Sequence, residues 1–280
     1  MVSLKVLYSD TVQRLRDGKV SGAQFEAMCM LTDICGTDKN DVIFGKEADI
    51  SKPILDKLNV AVKKRSQGEP LQYLLGKWEF YGMPFFVGKG VLIPRQDTET
   101  IVDAALESAK DNFVCVDLCS GSGCIAAALK KNKPDMSIYA VELSDDACCY
   151  FEKNMELNKT DVTLIKGDVC DKEILNKIPQ CDLIVSNPPY LTKYDMEHLQ
   201  NEVRYEPETA LYGGDDGLDM YRKITNLWKD KLNHGGTLIY EIGIGQEREV
   251  GKIMLENGFY DIIGKKDLNG IVRAVIGIRK

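Results

Sequence analysis

Histidine is scarce. The only two, His198 and His234, stand apart, too few for a histidine metal site and too isolated to argue for general-base chemistry. The nine cysteines are odd in number and include no Cys-x-x-Cys pair, so neither a disulfide framework nor a metal site is indicated. In apolar stretches such as those around Cys115, Cys124 and Cys181 they read as small buried hydrophobes. Nowhere does the chain stay apolar for the roughly 18 residues a membrane span needs, and Ser3 and Lys5 interrupt the N-terminus where a signal peptide would be apolar. A cytoplasmic protein is expected. A basic excess is missing as well: 36 Lys and Arg against 43 Asp and Glu give a net charge of −7. Nucleic-acid readers draw much of their affinity from phosphate neutralisation, and this chain does not advertise a basic face. The run Lys63-Lys64-Arg65 is more simply a solvated helix end. Internal repeats and low-complexity segments are absent too.

What is present suits a soluble globular protein. The 280 residues, 44% hydrophobic and 28% charged, suffice for one large or two modest domains. Residues 1–75 read as a small helical domain. Ser21-Gly22-Ala23-Gln24 has capping-box spacing, Phe25, Met28, Cys29 and Leu31 follow at helical intervals, and Gly36 closes the segment. A further helix starts near Ser51 with Pro53 in its first turn, buries Ile54, Leu55, Leu58 and Val62, and ends in Lys63-Lys64-Arg65, cations suited to a helix C-terminus. From 76 to 94 the pattern turns aromatic and Gly-punctuated, as in a β-hairpin, and serves as a linker. Asp97 then offers an N-cap for a helix that turns Ile101, Ala104 and Ala105 inward.

Residues 95–280 alternate strand and helix. Strands are expected at 114–118, 137–141, 162–165, 181–186, 236–241, 260–263 and 271–278, with helices at 123–131 and 145–157. Such alternation implies an α/β fold with a parallel, doubly wound sheet, whose ligands bind beyond the carboxyl ends of the strands.

Two motifs fall at strand ends. Asp117-Leu118-Cys119-Ser120-Gly121-Ser122-Gly123 is a strand-to-helix turn in which Gly121 and Gly123 let the backbone approach a ligand and the following helix offers free N–H groups. Glu142 ends the next strand, placed to accept both hydroxyls of a ribose. The spacing Gly121-x-Gly123-x-x-Ala126 also fits a dinucleotide fingerprint, which is weak alone. Asp117 favours S-adenosylmethionine instead, because it would repel a pyrophosphate but could hold an amino-acid portion or order the loop. The second motif, Asn187-Pro188-Pro189-Tyr190, stops an apolar strand at a rigid corner. Asn-Pro is a common turn opener, yet this corner also suits a planar amino or amide nitrogen. The Asn187 side-chain oxygen and the Pro188 carbonyl can hold its two hydrogens, and Tyr190 can cover its flat face.

In combination, the chain resembles the release factor glutamine methyltransferases of the HemK/PrmC type. The resemblance rests on Pro70-Leu71-Gln72-Tyr73-Leu74-Leu75-Gly76, Phe80-Tyr81-Gly82, Leu92-Ile93-Pro94-Arg95-Gln96-Asp97-Thr98-Glu99, the glycine loop, Asn187-Pro188-Pro189-Tyr190, Tyr205-Glu206-Pro207 and Gly214-Asp215-Asp216-Gly217-Leu218. It implies a helical N-terminal domain that helps hold a release factor, a hairpin linker, and a seven-stranded class I methyltransferase (Rossmann-like) domain whose last strand is antiparallel. The implied substrate is the glutamine of the Gly-Gly-Gln tripeptide in class I peptide chain release factors, with no direct nucleic-acid or membrane partner and no metal. The implied cofactor positions are Asp117, Cys119, Ser120, Gly121, Ser122, Gly123, Glu142, Asp168, Val169 beside the adenine, and Asn187, which touches cofactor and substrate together. Pro188, Pro189 and Tyr190 complete the substrate site. Three positions depart from the family pattern: Cys119 where Gly is frequent, at little cost if its φ is negative; Val169 where some members carry Trp; and Gln96 for the second Pro of Pro-Arg-Pro-Asp-Thr-Glu. The alternative within enzymes is methyl transfer to an exocyclic amino group of a nucleic-acid base, which the same corner could hold. From outside enzymes, the alternative is a silent binding module that keeps the fold.

Overall fold

A computed structural model describes residues 1–280, and its backbone divides into two compact units. The first comprises Met1–Lys77 together with Gln200–Tyr205. Strand β1 (Val2–Ser3) leads into α1 (Leu4–Asp17), followed by α2 (Ala23–Cys35), α3 (Lys39–Ile43), β2 (Glu47–Ala48), α4 (Lys52–Ser66) and α5 (Leu71–Leu75). Leu15, Ala27, Met30, Leu31, Leu58 and Val62 form its core. Gly36 ends α2 in the left-handed conformation and Ser51 precedes α4 with Pro53 in the first turn, as expected.

Two details of this unit differ from the sequence reading. The capping box at Ser21 does not form: α2 begins at Ala23 behind Gly22, without a side-chain cap. The rotation that buries Ala23, Ala27, Met30, Leu31 and Ile34 leaves Phe25 63% exposed, so burial of the larger apolar face overrides the local cap. Arg65 is no solvated cation. It is 4% exposed, and its guanidinium holds both carboxylate oxygens of Glu26, at 2.5 and 3.0 Å, and also pairs with Glu202 of the Gln200–Tyr205 segment. A buried guanidinium needs such partners, since an uncompensated charge in the interior costs several kcal/mol.

The second unit comprises Trp78–Leu199 and Glu206–Lys280. It opens with the hairpin of β3 (Lys77–Phe80) and β4 (Met83–Phe86), whose two turn residues, Tyr81 and Gly82, both have positive φ, the geometry that matches strand twist in a two-residue turn. Next come α6 (Glu99–Ser108), β5 (Val114–Leu118), α7 (Cys124–Asn132), β6 (Ser137–Glu142), α8 (Asp145–Asn158), β7 (Thr163–Lys166), α9 (Lys172–Leu175) and β8 (Cys181–Ser186). The chain ends with α10 (Lys193–Glu197), α11 (Asp219–Trp228), β9 (Leu232–Glu241), α12 (Glu247–Glu256), β10 (Phe259–Lys266) and β11 (Val272–Arg279). Seven strands form one sheet in the order β10-β11-β9-β8-β5-β6-β7. All run parallel except β11, which pairs antiparallel with both neighbours.

Each face of the sheet is covered by its own apolar layer. Ile101, Ala105, Ile125, Leu129, Phe151 and the hairpin residues Phe80 and Phe85 pack one side, and Tyr221, Ile224, Trp228, Val250 and Met254 the other. Strand order reverses at β5, which has β6 on one side and β8 on the other. In an open α/β sheet the crevice at this reversal, beyond the carboxyl ends of the strands, is where ligands sit. Both sequence motifs lie there. One expected cap moves: Asp97 falls within a 3-10 turn, Gln96–Thr98, and its carboxylate pairs with Arg273 at 2.7 Å, so the ion pair and not a cap fixes it. No helix is long and apolar enough to cross a membrane.

Candidate active site

The loop after β5 is held from both ends. Ser120 Oγ donates to Asp117 Oδ2 at 2.5 Å, and the Ser120 N–H donates to the Val141 carbonyl at 3.1 Å. Asn154 of α8 is fully buried and anchors the far side: its Nδ2 donates to the Ser122 carbonyl at 2.9 Å, while its Oδ1 accepts the Phe86 N–H at 2.6 Å. The two glycines have different jobs. A Cβ on Gly123 would strike Phe151 and Met155 at 2.6 and 2.7 Å, so this glycine permits close packing of α7 on α8, whereas a Cβ on Gly121 would face open space, the side left for a ligand. Cys119 adopts φ +62°, not the negative value that would make it an easy substitute for glycine. Its Cβ therefore costs roughly 1–2 kcal/mol of backbone strain at the turn. Asp117 is fully buried, and its second oxygen, Oδ1, has no partner within the chain. Burial pushes its carboxyl up to about 7.

Glu142 at the end of β6 turns its carboxylate toward this loop. Oε2 accepts the Gly121 N–H at 2.8 Å and Oε1 the Ser144 N–H at 2.7 Å, which fixes the group while each oxygen keeps a lone pair for a further donor. Leu143, the residue that follows the end of β6, is 57% exposed. Asp168, beyond β7, is exposed and bends its own turn by accepting the Cys170 N–H at 2.8 Å. Val169 is buried among the residues under α11 and its carbonyl accepts Trp228 Nε1–H at 2.8 Å, so its side chain offers little surface to a ligand.

The Asn187 corner follows β8, whose Ser186 stands beside Leu118 of β5 and donates its hydroxyl to the Leu118 carbonyl at 2.7 Å. The two motifs are therefore adjacent across one strand pair. Asn187 Nδ2 donates to Thr98 Oγ1 at 3.4 Å, which turns Oδ1 away from Thr98. Tyr190 points its hydroxyl at Glu241 Oε1, 3.5 Å away at the end of β9. The glycines of the stretch 213–217 clear space for this corner: a Cβ on Gly213 would meet the Pro189 carbonyl at 2.6 Å, and one on Gly217 would run into the Tyr190 carbonyl. Gln246 ties the same carbonyl down, its Nε2 donating to Tyr190 O at 3.1 Å. Thr98, Glu241 and Gln246 were not among the residues singled out from sequence. Thr98 lay inside a quoted motif, but nothing local distinguishes its hydroxyl from that of any helix-start threonine.

A sheet of this order, with a glycine loop after its central strand and a fixed carboxylate after the next, defines a class I S-adenosylmethionine-dependent methyltransferase. The residues present fit that cofactor: an orphaned, buried carboxylate oxygen on Asp117, open space over Gly121, and a Glu142 carboxylate with acceptor capacity to spare. Residues 98–204 match the model of the methyltransferase small domain family and residues 7–76 that of the PrmC N-terminal domain. A release factor glutamine methyltransferase of Geobacter sulfurreducens is 40% identical over 94% of this chain and 92% of its own length; one from Clostridium acetobutylicum is 36% identical over 91% and 90%. The protein belongs to the release factor glutamine methyltransferase family. A solved methyltransferase from Pyrococcus furiosus, 17% identical, superposes with a TM-score of 0.54 over 71% of this chain and 90% of its own, which shows the shared fold.

Proposed function

We propose that the protein transfers a methyl group from S-adenosylmethionine to the side-chain amide nitrogen of the glutamine in the Gly-Gly-Gln motif of class I peptide chain release factors, and so modulates translation termination. The observation that carries this reading is the Asn187 carboxamide, held by Thr98 with its oxygen free, beside the glycine loop. An amide nitrogen is a poor nucleophile because its lone pair is delocalised into the carbonyl. Asn187 Oδ1 and the Pro188 carbonyl accept its two hydrogens and fix it in line with the methyl, and orientation of this kind can supply up to about 7–11 kcal/mol. Bound S-adenosylmethionine would supply the electrophilic methyl, its sulfur keeping the electron pair of the broken S–C bond and leaving as a neutral thioether. As the new N–C bond forms the nitrogen gains positive charge, both acceptors bind it more strongly, and a proton is then lost to water.

The same reading assigns the remaining positions. Tyr190 packs its ring against the amide, and Pro189 stiffens the corner. Cys119, Ser120, Gly121 and Ser122 line the amino-acid end of the cofactor with Asp117, while Gly123 sets the turn. Glu142 accepts the ribose hydroxyls, and Asp168 lies at the adenine end. The exposed Leu143 supplies the apolar contact to adenine that the buried Val169 side chain leaves open. Residues 1–75 hold the release factor, 76–94 form the linker and 95–280 carry the chemistry, in the cytoplasm and without direct contact to nucleic acid. Intact-mass spectrometry of a class I release factor, incubated with the protein and S-adenosylmethionine and mapped to the Gly-Gly-Gln peptide, tests it. One added methyl on that glutamine is expected; a release factor left unmodified by protein that still binds the cofactor would sink the substrate assignment.

A further inference from the structure

We propose that Gln246 is a positioning residue for the reacting corner: its carboxamide fixes the Tyr190 carbonyl and, through two prolines, the Pro188 carbonyl that accepts a hydrogen of the substrate amide. This rests on the methyl transfer proposed above and adds a residue outside the motifs that carry it.

The corner lacks the means to anchor itself. Pro188 and Pro189 have no N–H, so over two successive residues the backbone can only accept hydrogen bonds. A donor must come from elsewhere. The Tyr190 carbonyl receives one from Gln246 Nε2 at 3.1 Å, shorter than the two other side-chain hydrogen bonds on the corner, from Asn187 to Thr98 at 3.4 Å and from Tyr190 to Glu241 at 3.5 Å. Each proline ring holds its φ at about −65°, so few free torsions separate this carbonyl from that of Pro188. Fixing the first restricts the second.

The surroundings of Gln246 hold its carboxamide in one orientation. The residue stands at the N-cap position of α12, yet its side chain makes no cap there. Nε2 also donates to the Gly217 carbonyl at 3.3 Å, and Oε1 accepts the Gly243 N–H at 2.9 Å. With both hydrogens on carbonyls and the oxygen on a backbone N–H, the reversed orientation would set like against like. Glycines leave room for the group on two sides. A Cβ on Gly243 would stand 2.9 Å from Gln246 Oε1 and 3.1 Å from Tyr190 Cδ2, and one on Gly217 would stand 2.8 Å from Gln246 Nε2. The corner, the stretch 213–217 and the turn between β9 and α12 thus meet on a single side chain. Its hydrogen bonds go to none of the glycine loop or Glu142, so its loss should reach turnover and spare cofactor affinity.

The test compares wild type with Gln246→Met, which keeps the length and loses both donors, and Gln246→Glu, which keeps the shape and the acceptor for Gly243. When ionised, the introduced carboxylate turns an acceptor toward the Tyr190 and Gly217 carbonyls; when protonated, it regains one donor. Those carbonyls and partial burial hold it above the ordinary glutamate range, so it gains its proton as pH falls from 9 toward 6. Asp117 and Glu241 titrate near 7 in every variant, so each kcat is divided by that of wild type at the same pH. Expected in Gln246→Met is a loss of kcat of about tenfold or more across the range, with release factor KM and cofactor Kd within about threefold. Gln246→Glu should match that loss at pH 9 and regain about fivefold or more toward pH 6. If Gln246→Met does not fold, the recovery of Gln246→Glu carries the comparison, with thermal melts showing the protein folded at both ends of the range. A readout independent of turnover is the backbone 13C′ signal of Tyr190 in the cofactor-bound protein, which should move with the recovery in Gln246→Glu beyond any change in wild type. Wild-type kcat in Gln246→Met, or a pH-independent ratio in Gln246→Glu, would overturn the proposal, as would a cofactor Kd that rises in step with the loss of kcat. Absence of methylation by wild type, with the Tyr190 signal titrating in Gln246→Glu, would sustain the clamp and overturn only the substrate assignment.

Discussion

Glu206 accepts the backbone N–H of Ile93 at 3.0 Å across 113 positions of sequence, and the same carboxylate pairs with Arg95. Two of the motifs on which the family resemblance rests thus explain one another. The carboxylate is buried, and it fixes the turn that delivers Thr98 to Asn187. Glu206→Ala strands a buried N–H and a guanidinium together, so a loss of about 3 kcal/mol or more is expected in urea melts, with reduced kcat in the protein that remains folded.

Asn187→Ala removes an acceptor from the reacting nitrogen while leaving Asp117, Glu142 and the glycine loop untouched. Turnover should fall by about 10²–10³ or more, in line with removal of one preorganised polar group, while calorimetric affinity for the cofactor stays nearly constant. Parallel loss of both would mean that Asn187 serves chiefly the fold or the cofactor.

Glu142→Ala should do the opposite. Two hydrogen bonds to a charged acceptor, each worth about 1.5–3 kcal/mol, imply a cofactor Kd raised at least about a hundredfold, with kcat at saturation far less affected.

Asp117 makes cofactor affinity depend on pH. An amino group held by the ionised carboxylate requires the proton to leave first, and burial holds that carboxyl at about 7, so cofactor Kd should rise as pH falls below 7, about tenfold per unit once well below it. Asp117→Asn should bind weakly with a flat profile. The sign for stability is reversed. The raised carboxyl keeps its proton in the fold while the unfolded chain loses it near pH 4, so this contribution is complete below about pH 4, declines as pH rises toward 7, and is flat above. Urea melts of the cofactor-free wild type should gain more stability from pH 8 to pH 6 than those of Asp117→Asn.

Gly217→Ala tests the packing behind the corner. Gly217 has φ +71°, and an added Cβ would press on the Tyr190 carbonyl and on Gln246 Nε2 at 2.8 Å. With strain and overpacking combined, Tm should drop by about 5 °C or more, and kcat should fall because Asn187 and Tyr190 move together.

The framework of the fold was legible because its central strands are buried on both faces. The apolar runs 114–118 and 181–186 coincide with β5 and β8 to the residue, and Glu142 ends its strand as read. Long-range pairings were not legible. No periodicity reveals that Arg65 would be buried against Glu26 and Glu202, that Asp97 would face Arg273 and not cap a helix, or that Thr98 would meet Asn187. These depend on which elements the sheet order brings together, and a local window carries no such information. Cys119 is a subtler case. The motif fixes a left-handed turn, but the residue filling it does not announce the φ it must adopt.

The strap Gln200–Tyr205 belongs to the first unit although it departs from and returns to the second. The chain therefore crosses between units three times, after Lys77, after Leu199 and after Tyr205. Such a molecule is not a cassette joined by one hinge. A recombination event that exchanged only the N-terminal 77 residues would carry Arg65 and Glu26 into the hybrid but leave Glu202 behind. The helical unit and the loop beyond the Asn187 corner are thus bound to diverge as one inheritance, and a chimera built from two relatives should transplant both pieces or neither.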